Sequence, residues 1–542
     1  MSEKHAAYAD YVLASNAIFT GLDDQPIAGA VAVKGNRILA VGEASEIAAY
    51  VGPDTKRYQY GDQLIMAGFH DFHIHLLLGS LQQQCVHLLS AKSEEEAALM
   101  VKEYGDKNPD EPWIIGFSWY HLFWDNKQLP HRSTLDKYFP DRPVFLFNAE
   151  CHGAWLNSKA LELAGITRET PNPPSGEIAR DENGEPTGFL YETAMALAKE
   201  AFNFPRDRRI KLLQGFLDHA AKLGVTSVAD MFPLVTMELG DLEMYREFDE
   251  TDRLTTRIHF LVELNEDLSY PKRLRDEYKS EKLQFSGLKN FLDGVPATYT
   301  AYMLEPYSDK ADTVGYTLMP PEMIEEWTVN ADREGFRIRY HACGDAAVRL
   351  GLDCFEAAQK ANGVRDSRHT IEHVEVIHPS DIERFAKLGV IPSMQPEHIA
   401  AAEKYEENAY RSRFGSERIP YTWPINSLQK SGAKLALGSD FPVVGLEPMT
   451  ELYRAVTRLH NDGQPVGGWN PQERITLAEA LRGYTIGSAY ANFREAELGT
   501  LEPGKLADII VLDRNLFAID PEEYRETEVS LTMMNGKIVF EK

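Results

Sequence analysis

Residues 67–80 read AGFHDFHIHLLLGS, with His73 and His75 one residue apart at the end of an apolar run. On a strand, positions i and i+2 point to the same side. Both rings would then face one cavity, with Phe72, Ile74 and Leu76 turned toward a face covered by helices. Imidazole is a ligand for zinc and similar divalent cations. A lone His-x-His is at least as often two ordinary histidines, so the pattern has to recur elsewhere. It does: GLKNFLDG holds Lys289, FRIRYHAC holds His341, RHTIEHV holds His373, and KLALGSD ends at Asp440. Five strand-like runs thus offer an imidazole, a carboxylate or a lysine near their ends, a set able to hold two divalent ions.

The elements that must position these residues form a regular series. Strand-like runs at 69–75, 224–230, 257–264, 287–294, 336–343, 368–374, 389–396 and 434–440 make eight. Helical stretches at 207–223, 321–334, 346–361 and 379–388 fall between them. Alternating strands and helices predict an α/β fold, a (β/α)8 TIM-like barrel whose active site lies at the C-terminal ends of the strands. Residues 80–200 are too long for an ordinary crossover and contain a further strand-like run, PVFLFNAE. They read as an insertion, or lid subdomain, after the first barrel strand and on the face of the site. Short alternating runs at both chain ends, with an Asn535-Gly536 hairpin signal, cannot bury their apolar faces alone. The economical solution is a discontinuous β-sandwich of residues 1–66 plus 497–542, with the barrel at 67–496.

Of 542 residues, 56 are Lys or Arg and 83 are Asp or Glu, a net charge of −27. That balance argues against nucleic acid or an anionic membrane as partner. A small-molecule substrate is the expected partner. Cys85, Cys151, Cys343 and Cys354 form no CxxC pair, which suits a reducing, cytoplasmic setting. Neither a secretory signal nor a membrane-length apolar run is seen. A homodimer is the default assembly. GxSxG, GxxxxGK[ST], GxGxxG and HExxH motifs are missing.

The motifs GFHDFHIH, WIIGFSWY, CHGAWLNSKAL, GEPTGFLYE, LKNFLDG, YHACGDAAV, RHTIEHV, GSDFPV, GYTIGSAYA and LGTLEPGKLADIIVLD run over nearly the whole chain. On them the sequence resembles the metal-dependent amidohydrolase superfamily, in the branch of the YtcJ-like hydrolases and N-substituted formamide deformylase (amidohydrolase family 3). The resemblance implies one or two divalent metal ions per chain, zinc first among them. His73 and His75 would hold the more buried ion, and His341 and His373 a second. Asp440 would be a ligand and the catalytic general acid and base. Lys289 sits where the superfamily carries a carboxylated lysine as a bridge; a bare ammonium cannot ligate a cation. His152 would contact the substrate carbonyl and share in catalysis. The branch's Gly-Trp-Asp run is here replaced by SWYHLFW, with Tyr120 where an acid is expected.

Around this set, Asp345, Arg368 and His369 are expected to orient ligands, as outer-shell partners do. His398 is expected to line the pocket, and Trp113, Trp119, Trp124 and Trp155 to roof it, with Trp119 and Trp124 touching substrate. A tryptophan roof implies a hydrophobic or aryl substrate. The expected reaction is hydrolysis of a non-peptide amide-type C–N bond in an amide, formamide or carbamate. Two alternatives stay open: a mononuclear deaminase of the same superfamily, which needs no bridging lysine, and a catalytically silent binding or regulatory protein on the same barrel.

Overall fold

The computed structural model describes residues 8–542 apart from 175, 232–238 and 401–403. Eight parallel strands form its centre: β1 Phe69–Ile74, β2 Val225–Asp230, β3 Arg257–Glu263, β4 Leu283–Phe291, β5 Ile338–Ala342, β6 Thr370–His373, β7 Ile391–Met394 and β8 Ala436–Leu437. Each pairs with the next in parallel register. The ring closes where Asp440 N donates to His73 O and His75 N donates to Phe441 O, both at 2.7 Å. This is the predicted TIM-like barrel. Its strands are covered on both faces; in β2 and β3 only Glu263 escapes burial.

The covering helices carry apolar stripes at helical period. Arg206–Lys222 buries Leu212, Leu213, Phe216, Leu217 and Ala220 along one side. Pro321–Arg333 and Asp345–Asn362 lie within a residue of the ranges predicted from sequence. The predicted 379–388 helix opens instead with a tight 3-10 turn at Pro379–Asp381 before Ile382–Leu388.

The two chain ends meet in the β-sandwich. Leu64–Ala67 pairs in parallel with Tyr11–Phe19 and antiparallel with Ile509–Leu512. Asn535 and Gly536 both adopt positive φ, 53° and 73°, as a type I′ turn requires. Arg257, fully buried at the start of β3, ties this domain to the barrel by a bidentate pair with Asp508 at 2.7 and 2.9 Å.

The insertion is more regular than its sequence suggests. It holds a six-stranded sheet in the order Gly176–Arg180, Pro186–Glu192, Gly153–Leu156, Val144–Asn148, Ile114–Trp119, Val86–His87. Its tryptophans overturn one expectation. Trp119, Trp124 and Trp155 are no more than 1% exposed and pack on one another and on Phe189. Trp119 Nε1 donates to Leu146 O at 2.8 Å. Trp119 and Trp124 are therefore the core of the insertion, and neither lines the central cavity. Simple alternation would put Trp119 on the side of Ile115 and Phe117, which pack toward the barrel. A bulge between Gly116 and Trp119, with Ser118 at φ 66°, turns it to the other side. Trp119→Ala should cost about 3–5 kcal/mol by opening a cavity there. Hydrogen exchange should show the loss confined to the insertion, and a variant as stable as wild type would contradict this packing.

Candidate active site

A second bulge aims the first ligand candidate. Between Asp71 and Ile74 three steps of β1 face two of β2, so one residue is extra and the alternation resets. Phe72 consequently packs inside the barrel with Ala229, Leu261, Ile391 and Ala436, not outward as a regular strand would place it. His73, next along, reaches across the barrel: its Nδ1 lies 2.8 Å from Glu372 Oε2, and its Nε2 3.3 Å from Asp440 Oδ1. His75 lies one residue beyond the strand, at the N-cap of Leu76–Gln82. Its Nε2 is 3.4 Å from the same Asp440 oxygen. Close approach of β8 to β1 makes this possible. A Cβ on Gly438 would stand 2.5 Å from His73 N, which explains glycine in the GSD run.

His373 ends β6 with Nδ1 2.9 Å from Gln395 Oε1 on the loop after β7. Donor atoms of His73, His373 and Asp440 all lie within 4.8 Å of one another. Asp440 and His373 adopt left-handed backbone, φ 63° and 72°. For residues other than glycine this costs about 1–3 kcal/mol each, strain that gathers at functional sites. His398 joins the group, with Nε2 3.6 Å from Asp440 Oδ2 and Nδ1 3.4 Å from Glu375 Oε1. His341 stands beside it, its ring 4.6 Å from that of His373, but its Nε2 faces Gly294 O at 3.1 Å. His152, from the insertion, holds Glu192 at 2.8 Å and lies 5.2 Å ring to ring from His341.

Lys289, on β4, is wholly buried and its Nζ has no hydrogen-bond partner. Burial pulls its pKa down to about 8, against the raising effect of Glu372 and Asp440. Burial also lowers His73, to about 4, so its imidazole is neutral at working pH. Asp440 goes the other way from burial alone: His73, His75 and His398 hold its carboxyl below the ordinary carboxylate range. Burial opposes charge on His152 as well, yet Glu192 raises it to about 9. The His152 side chain is 15% exposed, on the cavity wall.

These donors fit a metal ion. In a tetrahedral zinc site with bonds of about 2.0–2.1 Å, ligand atoms lie roughly 3.3 Å apart. The separations of Asp440 Oδ1 from His73 and His75 match that. Glu372 occupies His73 Nδ1 and leaves its Nε2 toward Asp440, as ligation needs; His373 Nδ1 lies between Gln395 Oε1 at 2.9 Å and Asp440 Oδ2 at 3.9 Å. A buried lysine nitrogen with no partner beside this group is what an additional anionic link would resolve. Glu372→Gln should weaken metal affinity about 10–100-fold and also lower stability, because it removes the charge facing buried Arg339; titration of the folded, metal-free protein reads the affinity, and an unchanged value would show that Glu372 does not orient His73.

The expected outer-shell residues are elsewhere. Arg368 pairs with Glu495 at 2.8 Å and lies 3.8 Å over the Tyr490 ring. His369 Nε2 meets Asp332 Oδ1 at 3.0 Å, and Ile338 N donates to its Nδ1. Asp345 Oδ1 accepts from Leu304 N at 2.9 Å. None of the three touches a ligand candidate. His369 precedes His373 by four strand residues, about 13 Å, so nearness in sequence puts it at the opposite end of the barrel. The residues that do hold ligand candidates are Glu372, on His73, and Gln395, on His373, while Glu375 faces His398. Glu372 adjoins His373 in IEHV, the one signal the sequence offered.

His73, His75, His152, His341, His373 and Asp440 open on a cavity of about 110 Å³ walled by Leu78, Met195, Phe291, Leu318 and Val443; His398, expected on its wall, sits behind Asp440 and does not line it. Glu150, Pro442 and Val443 also border a larger cavity of about 710 Å³ between the insertion and the loops after β7 and β8. Burial pushes Glu150 up to about 7.

A sequence profile of the amidohydrolase family matches residues 61–540. The protein LONG AFTER FAR-RED 3 of Arabidopsis thaliana is 33% identical over 517 residues, 94% of this chain and 88% of its own. YtcJ of Bacillus subtilis is 28% identical over 97% of this chain and 98% of its own. N-substituted formamide deformylase of Arthrobacter pascens is 28% identical over 95% of each. A crystal structure of a metal-dependent hydrolase from Pyrococcus horikoshii OT3 superposes with a TM-score of 0.75 at 25% identity, covering 94% of this chain and 99% of that one.

Proposed function

The chain belongs to the amidohydrolase family, and from that premise we propose that it hydrolyses the C–N bond of a small amide, formamide or carbamate. One observation carries the proposal: His73, His75, His373 and Asp440, from β1, β6 and β8, converge at ligand spacing on one cavity. The kinship with a formamide deformylase supports formamides among the substrates.

His73, His75, His341, His373 and Asp440 would hold one or two divalent ions, zinc in the first instance, with carboxylated Lys289 as the bridge. When bound, such an ion lowers the pKa of water from ~15.7 toward ~7 and polarises a carbonyl. The chain's own groups do the rest. Asp440 takes the proton of the attacking water as the oxygen–carbon bond forms, then delivers it to the nitrogen as the carbon–nitrogen bond breaks. His152, kept cationic by Glu192, donates to the oxygen on which negative charge develops. His398, facing Asp440, keeps that carboxylate ionised. The apolar walls exclude bulk water and strengthen these charge interactions.

The lysine bridge needs a neutral amine: its nitrogen adds to carbon dioxide, a nitrogen–carbon bond forms and one proton leaves. With burial holding Lys289 to about 8, an appreciable fraction is neutral at physiological pH. The experiment for the reaction is product release from a panel of N-alkyl formamides, amides and carbamates with zinc-loaded protein. Release of the free amine from at least one class is expected, and inertness toward all three would refute the reading.

A further inference from the structure

Most carboxylates around the cavity are already answered. Glu192 holds His152, Glu372 lies between Arg339 and His73, and Glu375 accepts from Tyr410 OH at 2.7 Å and faces His398. Glu150 makes no such pair, although Glu192 Oε1 and Asp440 Oδ1 are, like its own Oε2, buried without a hydrogen-bond partner. Glu150 stands on the wall common to the inner and outer cavities. In the outer cavity Glu451 is 1% exposed; its Oε2 accepts from Glu397 N at 2.9 Å, and its Oε1 has no partner. Tyr120 and Phe123 add aromatic faces, and Lys92 is the single lysine or arginine among the described lining residues, against five glutamates.

An unpaired carboxylate shielded from water is costly, and a ligand cation removes that cost. Aromatic faces are attractive to the same cations. A neutral ligand of equal shape leaves the carboxylate unpaired, so such a site discriminates strongly. Resting on the hydrolase reading above, we propose that Glu150 is the specificity residue for a cationic nitrogen, and that the substrates are short amides bearing an ammonium or amidinium group. Asp440 and Glu150 border the same small cavity, so only a short linker separates the scissile carbonyl from the charge. The outer cavity admits the substituent beyond it.

The test separates binding from turnover. Ligand-observed NMR on the zinc-loaded protein at pH 8 compares n-pentylammonium with n-pentanol, matched in length. The ammonium should bind about tenfold tighter or more, and Glu150→Gln should abolish the difference while leaving the melting temperature unchanged. Equal binding in wild type, or no ammonium binding, overturns the inference without any variant; an undiminished preference in a folded Glu150→Gln protein does the same. Rates for N-(4-aminobutyl)formamide and N-pentylformamide then tell the two readings apart. Inertness toward both, with the ammonium preference intact, places the fault in the hydrolase reading. Equal hydrolysis of both, with no preference in binding, places it in the role of Glu150.

Discussion

Replacing Asp440 with asparagine is expected to lower kcat by about 10²–10⁴-fold, the contribution of a positioned general acid and base. Asparagine keeps the volume and one oxygen near His73 and His75, but it cannot take up a proton and hand it on. The surrounding imidazoles keep the native carboxyl ionised, so the wild-type group is always ready to accept. Circular dichroism and metal content should accompany the kinetics, because Asp440 is also a ligand candidate. A folded, metal-replete Asp440→Asn protein with wild-type kcat would remove this residue from proton transfer.

Lys289→Ala should change composition as well as rate. Protein purified without chelator is expected to carry about two metal ions per chain, as binuclear hydrolytic sites do. The variant should carry one or fewer and lose activity. The physical reason is the cost of the alternative: a wholly buried lysine nitrogen with no partner has no evident structural purpose. Elemental analysis decides. One ion in both proteins would show that His73, His75, His373 and Asp440 suffice, favour the mononuclear alternative and make deaminase substrates the next panel. No ion in either would end the metal-based mechanism.

Much of this architecture was legible in the linear chain. Short strand-like runs alternating with helical stretches marked all eight barrel strands, and Asn535-Gly536 marked the closing hairpin, because both signals are local. The same holds for the histidines, Lys289 and Asp440, since residue type and proximity to a strand end are written in order along the sequence. What failed was inference from nearness. Arg368 and His369 lie near His373 in sequence, yet a strand carries its residues apart at about 3.3 Å each, and Asp345 lies beyond β5 at the start of a helix. Gln395 and Glu375 gave no signal because their roles exist only across loops.

The sequence by itself therefore determined the barrel, the joined termini and the types of group present at the strand ends. Tertiary structure alone decided where the side chains point. One extra residue between Asp71 and Ile74 turns Phe72 inward beside His73, and another between Gly116 and Trp119 sends that tryptophan into the insertion's core. Register is a relation between two strands far apart in sequence, and a one-residue slip exchanges the faces. No periodicity within either strand could have shown it.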